Sequence, residues 1–165
     1  MEHTQDKNMA QHHYLMLGLS TLLSAIVMYF SMYAMIDTLQ SFFGNINQAY
    51  MAIMMAAPMV PIMILTMRSM YSHARLNAIL HVGSAIVFLL AFAAIRYQTA
   101  VGDRQFLRSM IPHHSGAILM CQEAKLSDPQ IKRLCGQIIK SQQEEIAQMR
   151  SLLDKRNENT VERAR

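Results

Sequence analysis

Residues 103–153 read DRQFLRSMIPHHSGAILMCQEAKLSDPQIKRLCGQIIKSQQEEIAQMRSLL, and their reading decides the fold. Two helical periods flank Ser127-Asp128-Pro129, a capping side chain followed by proline at a first helical position. With Met110 at zero on a wheel of 100° per residue, Asp103, Phe106, Leu107, His113, His114, Ala117, Cys121 and Ala124 fall within about 60° of one line. Met120 lies just outside it. Both histidines therefore belong to the apolar stripe, and Pro112 predicts a bend beside His113. The second helix runs from Pro129 to about Lys155, with Ile131, Leu134, Cys135, Ile138, Gln142, Glu145, Ile146, Met149, Leu152 and Leu153 on its stripe.

Folding the two helices back about Asp128 makes an antiparallel hairpin. His114 then faces Gln142, Leu107 faces Met149 and Cys121 faces Cys135, with Met110 and Met149 within reach of His113 or His114. Buried imidazoles need partners, and a metal, Gln142 or Glu145 are the candidates. Imidazole beside thioether argues for Cu(I) or Ag(I) over zinc, and against magnesium or calcium. A di-iron carboxylate site is disfavoured because the chain has no Glu-x-x-His pair. Hydrolytic zinc chemistry lacks a fixed base, since only Glu123 or Glu145 stands near. Facing cysteines in an oxidising compartment can close a disulfide. Helix spacing of about 8–10 Å exceeds the usual Cα separation of a disulfide, which favours free thiols.

Upstream the composition changes. Residues 1–96 hold seven charged side chains (Glu2, Asp6, Lys7, Asp37, Arg68, Arg75 and Arg96), and residues 97–165 hold the other nineteen. That split describes a membrane region followed by a water-facing region. Uncharged runs predict three membrane helices at about 14–36, 49–67 and 76–95, each near the ~20 residues that cross the hydrocarbon layer. The first is too long for a signal-peptide core and has no small-x-small cleavage site. Pro58 and Pro61 predict a kink in the second. Lys7, Arg68 and Arg75 place the amino terminus and the second loop in the cytoplasm. Residues 97–165 then lie on the outer, periplasmic side of a bacterial inner membrane.

The net charge of +4 comes without a basic run or interleaved aromatics, so nucleic acid is not an expected partner. Sixteen methionines and no tryptophan mark the chain. Met51, Met55, Met59, Met63 and Met67 repeat every four residues along the second span, a row that either packs against its surroundings or passes a soft cation along the helix. His81, inside the third span, could face that row. A free amino terminus followed by His3 is a common Cu(II) chelate.

The string Asp103-x-x-Phe106-x-x-x-Met110-Ile111-Pro112-His113-His114-x-Gly116-Ala117-Ile118-x-Met120, with Ile138-Ile139-x-x-Gln142-x-x-Glu145-Ile146-x-x-Met149 after it, resembles the family catalogued as domain of unknown function 305. The likeness covers roughly residues 100–153 and leaves the membrane region outside. It departs at Ser151-Leu152-Leu153, where a large aromatic is common. The resemblance implies an exported, all-α, ferritin-like bundle associated with copper binding and tolerance. It carries over only to Met110, His113, His114, Met120 and Met149 as metal ligands; Cys121, Gln142 and Glu145 are weaker candidates that come from the facing positions of the hairpin and not from the resemblance. One hairpin is half of a four-helix bundle, so a homo-oligomer through the hairpin is expected.

The expected organisation is thus a membrane region over 1–96, a metal-binding hairpin over 97–156 and a frayed tail over 157–165. The expected role is soft-metal handling at the outer face, without an organic cofactor and without enzymatic chemistry. Transport along the methionine row and a purely structural oligomerisation module are the alternatives.

Overall fold

A computed structural model describes the backbone of residues 2–163 and the side chains of residue 9 and residues 11–156. Among the described residues every regular element is helical. In order these are α1 (Glu2–Ser31), short 3₁₀ turns at Met32–Met35 and Leu39–Ser41, α2 (Ile46–Ala56), α3 (Met59–Thr66), α4 (Ala74–Arg96), α5 (Asp103–Glu123) and α6 (Pro129–Arg163). The chain divides into two compact units, residues 1–31 with 49–99 and residues 32–48 with 100–165. The segment 32–48, which joins two spans in the sequence, thus packs with the carboxy-terminal helices.

Three helical stretches, lying mostly in the first unit, are long and apolar enough to cross a membrane: Gln11–Met35, Ile46–Thr66 and Ala74–Arg96. Each is a long apolar run with at most two charged side chains, and in hydrocarbon such a run can satisfy its backbone groups only within a helix. The second stretch breaks at Ala57–Pro58 into α2 and α3. Pro58 supplies the break, and Pro61 falls in the first turn of α3, where a missing N–H costs nothing. Leu17, Ile64 and Tyr71 form this unit's buried cluster, with Met63 and Met70 packed on it. One end is closed by polar contacts. Tyr14 Oη donates to Asn77 Oδ1 at 2.7 Å, Asn77 Nδ2 donates to the Tyr71 carbonyl at 2.9 Å, and His13 Nδ1 lies 3.2 Å from the Met70 carbonyl. Burial pushes the Tyr71 hydroxyl above its ordinary range, and Tyr14 beside it adds to the shift.

In the second unit α5 and α6 pack along one another. Asp128 caps α6, its Oδ1 accepting from the backbone N–H of Gln130 at 2.6 Å and of Ile131 at 3.2 Å. Contacting pairs count down on one helix as they count up on the other: Cys121 with Cys135, His114 with Glu145, Asp103 with Arg156. Leu107, Ile111, Ile118, Ile146, Met149 and Leu153 make the core between them, and Phe43, Met110 and Ile139 pack against it.

Segment 32–48 straps this pair. The Asp37 N–H donates to Ser115 Oγ at 2.7 Å, Asn47 Nδ2 donates to Ser109 Oγ at 3.3 Å, and Arg150 donates to Ser41 Oγ at 3.1 Å. The strap also lies close over Gly116, where a Cβ would meet the Met35 carbonyl oxygen at 3.3 Å. The helix α6 continues past the expected end near Lys155 to Arg163; the side chains of the expected frayed tail lie outside the described residues, as does that of His3.

Candidate functional site

The strap rotates the buried face of α5. Ile111 and Ser115 are fully enclosed, and Pro112, Gly116 and Ile118 are buried with them. That face is centred more than a third of a turn from Met110, at the spacing of 3.6 residues per turn. His114 lies on its inner edge with its side chain 14% exposed, Met110 is half-buried, and Met149 is buried. His113 and Met120 fall on the far edge and are exposed, Met120 by 53%. The two imidazole rings stand with centroids 6.0 Å apart, edge toward face. The expected stripe therefore holds for His114 and not for His113, because the wheel records where apolar residues recur and not which flank a strap covers.

The facing register also differs from the expected one. His114 meets Glu145, not Gln142: Nδ1 lies 2.8 Å from Oε2. The carboxylate oxygen sits off the direction of a straight ring hydrogen bond, so this buried nitrogen is close to its partner but imperfectly satisfied. The other carboxylate oxygen, Oε1, accepts from Ser141 Oγ at 2.9 Å. The register of His114 with Glu145 and of Asp103 with Arg156 sets Met110 across from Met149, four residues along each helix from the histidine and the carboxylate. Residues four apart share a helix face. An imidazole–carboxylate rung thus lies one turn from a thioether–thioether rung, and Met110 packs on the core that contains Met149.

Cys121 and Cys135 are joined in a disulfide, with Cα atoms 5.2 Å apart. This corrects the expectation of free thiols and removes Cys121 as a thiolate ligand. The reason is geometric. The 8–10 Å spacing applies to helix axes, and each Cα stands about 2.3 Å off its axis, so facing residues approach several ångströms closer than the axes do. Gln142 is half-buried on α6, one turn from Ile138, and does not partner His114.

Among the described residues no three His, Cys, Asp or Glu side chains converge as a ligand set. What the two rungs can offer a cation is one oriented imidazole with two thioethers, a donor set that fits a soft monovalent ion and poorly fits magnesium or calcium. Sequence reasoning missed the strap, whose signal was weak: a loop without Lys or Arg, rich in Asn, Gln and Phe, between two long apolar runs.

The family described as Domain of unknown function (DUF305) matches residues 34–153. The match extends well upstream of residue 100, through the second and third spans and the strap that packs on Ser115 and Gly116. A relative named Uncharacterized protein L153, from Acanthamoeba polyphaga mimivirus, is 37% identical over 114 residues, which are 68% of this chain and 73% of that protein. No solved structure matches the chain. On the extent of that match and that identity, the chain belongs to the DUF305 family.

Proposed function

We propose that this protein is a membrane-anchored binder of a soft monovalent cation, Cu(I) or Ag(I), acting in copper handling or tolerance at the outer face. What supports it is the contact of His114 with Glu145 in the second unit, together with the helix register that sets Met110 and Met149 one turn away, Met110 packing on the core that contains Met149. Imidazole and thioether together select soft ions. His114, Met110 and Met149 are the inner ligands in this reading. His113 and Met120, exposed on the adjacent edge, complete or relay the site.

The same reading places α5 and α6 as an antiparallel hairpin, half of a ferritin-like bundle whose other half comes from a second copy. Phe106, Met120, Leu134 and Leu152 are apolar and exposed on the two helices, which supports a covering partner. The disulfide supports an oxidising compartment for this unit, in line with the cytoplasmic placement of Lys7, Arg68 and Arg75 and hence with the periplasmic side of a bacterial inner membrane.

A second reading is favoured by one contact. Glu145 at 2.8 Å gives His114 a partner without any metal, as a structural oligomerisation module requires. Titration of the full chain in detergent with Cu(I) or Ag(I), against a competing chelator, separates the two. Binding tighter than micromolar that falls at least tenfold in Met110→Leu and Met149→Leu supports the metal reading. Binding weaker than micromolar supports the structural one.

A further inference from the structure

We infer that Glu145 is the positioning residue of the site, holding the His114 ring so that Nε2, and not Nδ1, is presented to the cation. The inference rests on the soft-cation reading above and adds to it which ring nitrogen binds and what fixes it. Three observations carry it. Nδ1 of His114 is enclosed and lies 2.8 Å from Glu145 Oε2. Glu145 accepts through Oε1 from the Ser141 hydroxyl at 2.9 Å, a second contact that favours the carboxylate orientation seen beside the ring. No other described hydrogen-bonding or charged partner of the His114 ring stands within contact.

The chemistry follows from the two-sided ring. In a neutral imidazole one nitrogen carries the proton and the other carries the lone pair. A carboxylate beside Nδ1 keeps the proton there and leaves the Nε2 lone pair as the ligand. The bent contact fits the same account. A cation on Nε2 withdraws charge from the ring, strengthens the Nδ1–H donor and straightens its bond to Glu145, just as apo-state hydrogen bonds elsewhere tighten on loading. Glu145 touches no cation in this arrangement, so it acts through His114. The Ser141-Glu145-His114 chain is an outer set of partners of the kind whose loss weakens metal affinity by roughly 10–100-fold.

The test uses the full chain in detergent, labelled with ¹⁵N-histidine and loaded with Ag(I). In the unloaded protein the His114 ring should show a protonated Nδ1 and a bare Nε2. On loading, a silver–nitrogen coupling should appear at Nε2. Glu145→Leu should return the unloaded ring to the usual Nε2–H tautomer and weaken Ag(I) binding roughly 10–100-fold, and Glu145→Gln, which still accepts a hydrogen bond, should restore part of that loss. Coupling at Nδ1, or affinity and tautomer unchanged in Glu145→Leu, would overturn the positioning role while leaving the soft-cation reading in place. Should Glu145→Leu fail to fold, the tautomer and the coupling in the unaltered chain still decide the matter. A wild-type chain that shows no silver coupling and no binding tighter than micromolar fails the reading itself, and the inference with it.

Discussion

The two units of this chain are built from similar side chains under opposite rules. In the first, Leu22, Val27, Ile79, Leu89 and Leu90 point outward, and the buried cluster is only Leu17, Ile64 and Tyr71 with what packs on them. Exposed apolar surface of that extent suits a hydrocarbon surrounding, and the unit's polar contacts gather at one end, around Tyr14 and Asn77. In the second, charged side chains such as Arg104, Glu144 and Lys155 share the outer face with a few exposed apolar ones, and the fold is held by a small core, a strap of hydrogen bonds and a disulfide. Methionine shows the difference best. Met55 and Met67 of the first unit are exposed apolar surface, whereas Met149 is buried in the core of the second. The same thioether is packing material in one unit and a candidate ligand in the other.

That contrast can be broken experimentally, most severely at Ile111. It is fully enclosed, so Ile111→Ala should cost the second unit about 4 kcal/mol through lost burial and the cavity left behind. Hydrogen exchange should then open α5 and α6 and leave α4 protected; equal loss in both would show that the units do not fold separately. Reducing the disulfide, or replacing both cysteines with serine, releases a 14-residue loop and should cost about 3 kcal/mol by the chain-entropy account. Thermal unfolding in detergent, with and without reductant, reads it. Arg150→Ala removes the strap's tie to Ser41 and should cost about 1–2 kcal/mol, since a hydrogen bond from a charged donor to a buried hydroxyl is lost. Proteolysis within residues 37–44 should rise in that variant. At the small end lies Ala100, whose φ of 58° is left-handed. Ala100→Gly should stabilise the chain by about 0.5–1 kcal/mol, visible as a modest rise in Tm.

The three long apolar helices were legible because runs of about twenty residues with almost no charge stand out in the sequence, and the α5–α6 pair because Ser127-Asp128-Pro129 stops one helical period and starts another. The strap was not, because its ties run through backbone groups, such as the Asp37 N–H and the Met35 carbonyl, that leave no periodic trace. That omission propagated into the site. Without a strap over Pro112, Ser115 and Gly116, the wheel centres on Met110 and gives His113 the same standing as His114. Glu145 was among the named partners of the histidines, but the choice between it and Gln142 turns on a shift of less than one turn, which capping signals do not set. The disulfide was lost to a comparison of axis spacing with Cα separation.

The most direct test of the account is X-ray absorption at the copper edge of the full chain loaded with one equivalent of Cu(I). A first shell of mixed sulfur and nitrogen, losing sulfur in Met110→Leu and Met149→Leu and nitrogen in His114→Ala, is the expected result. A shell of nitrogen and oxygen alone, unchanged in those variants, would contradict it.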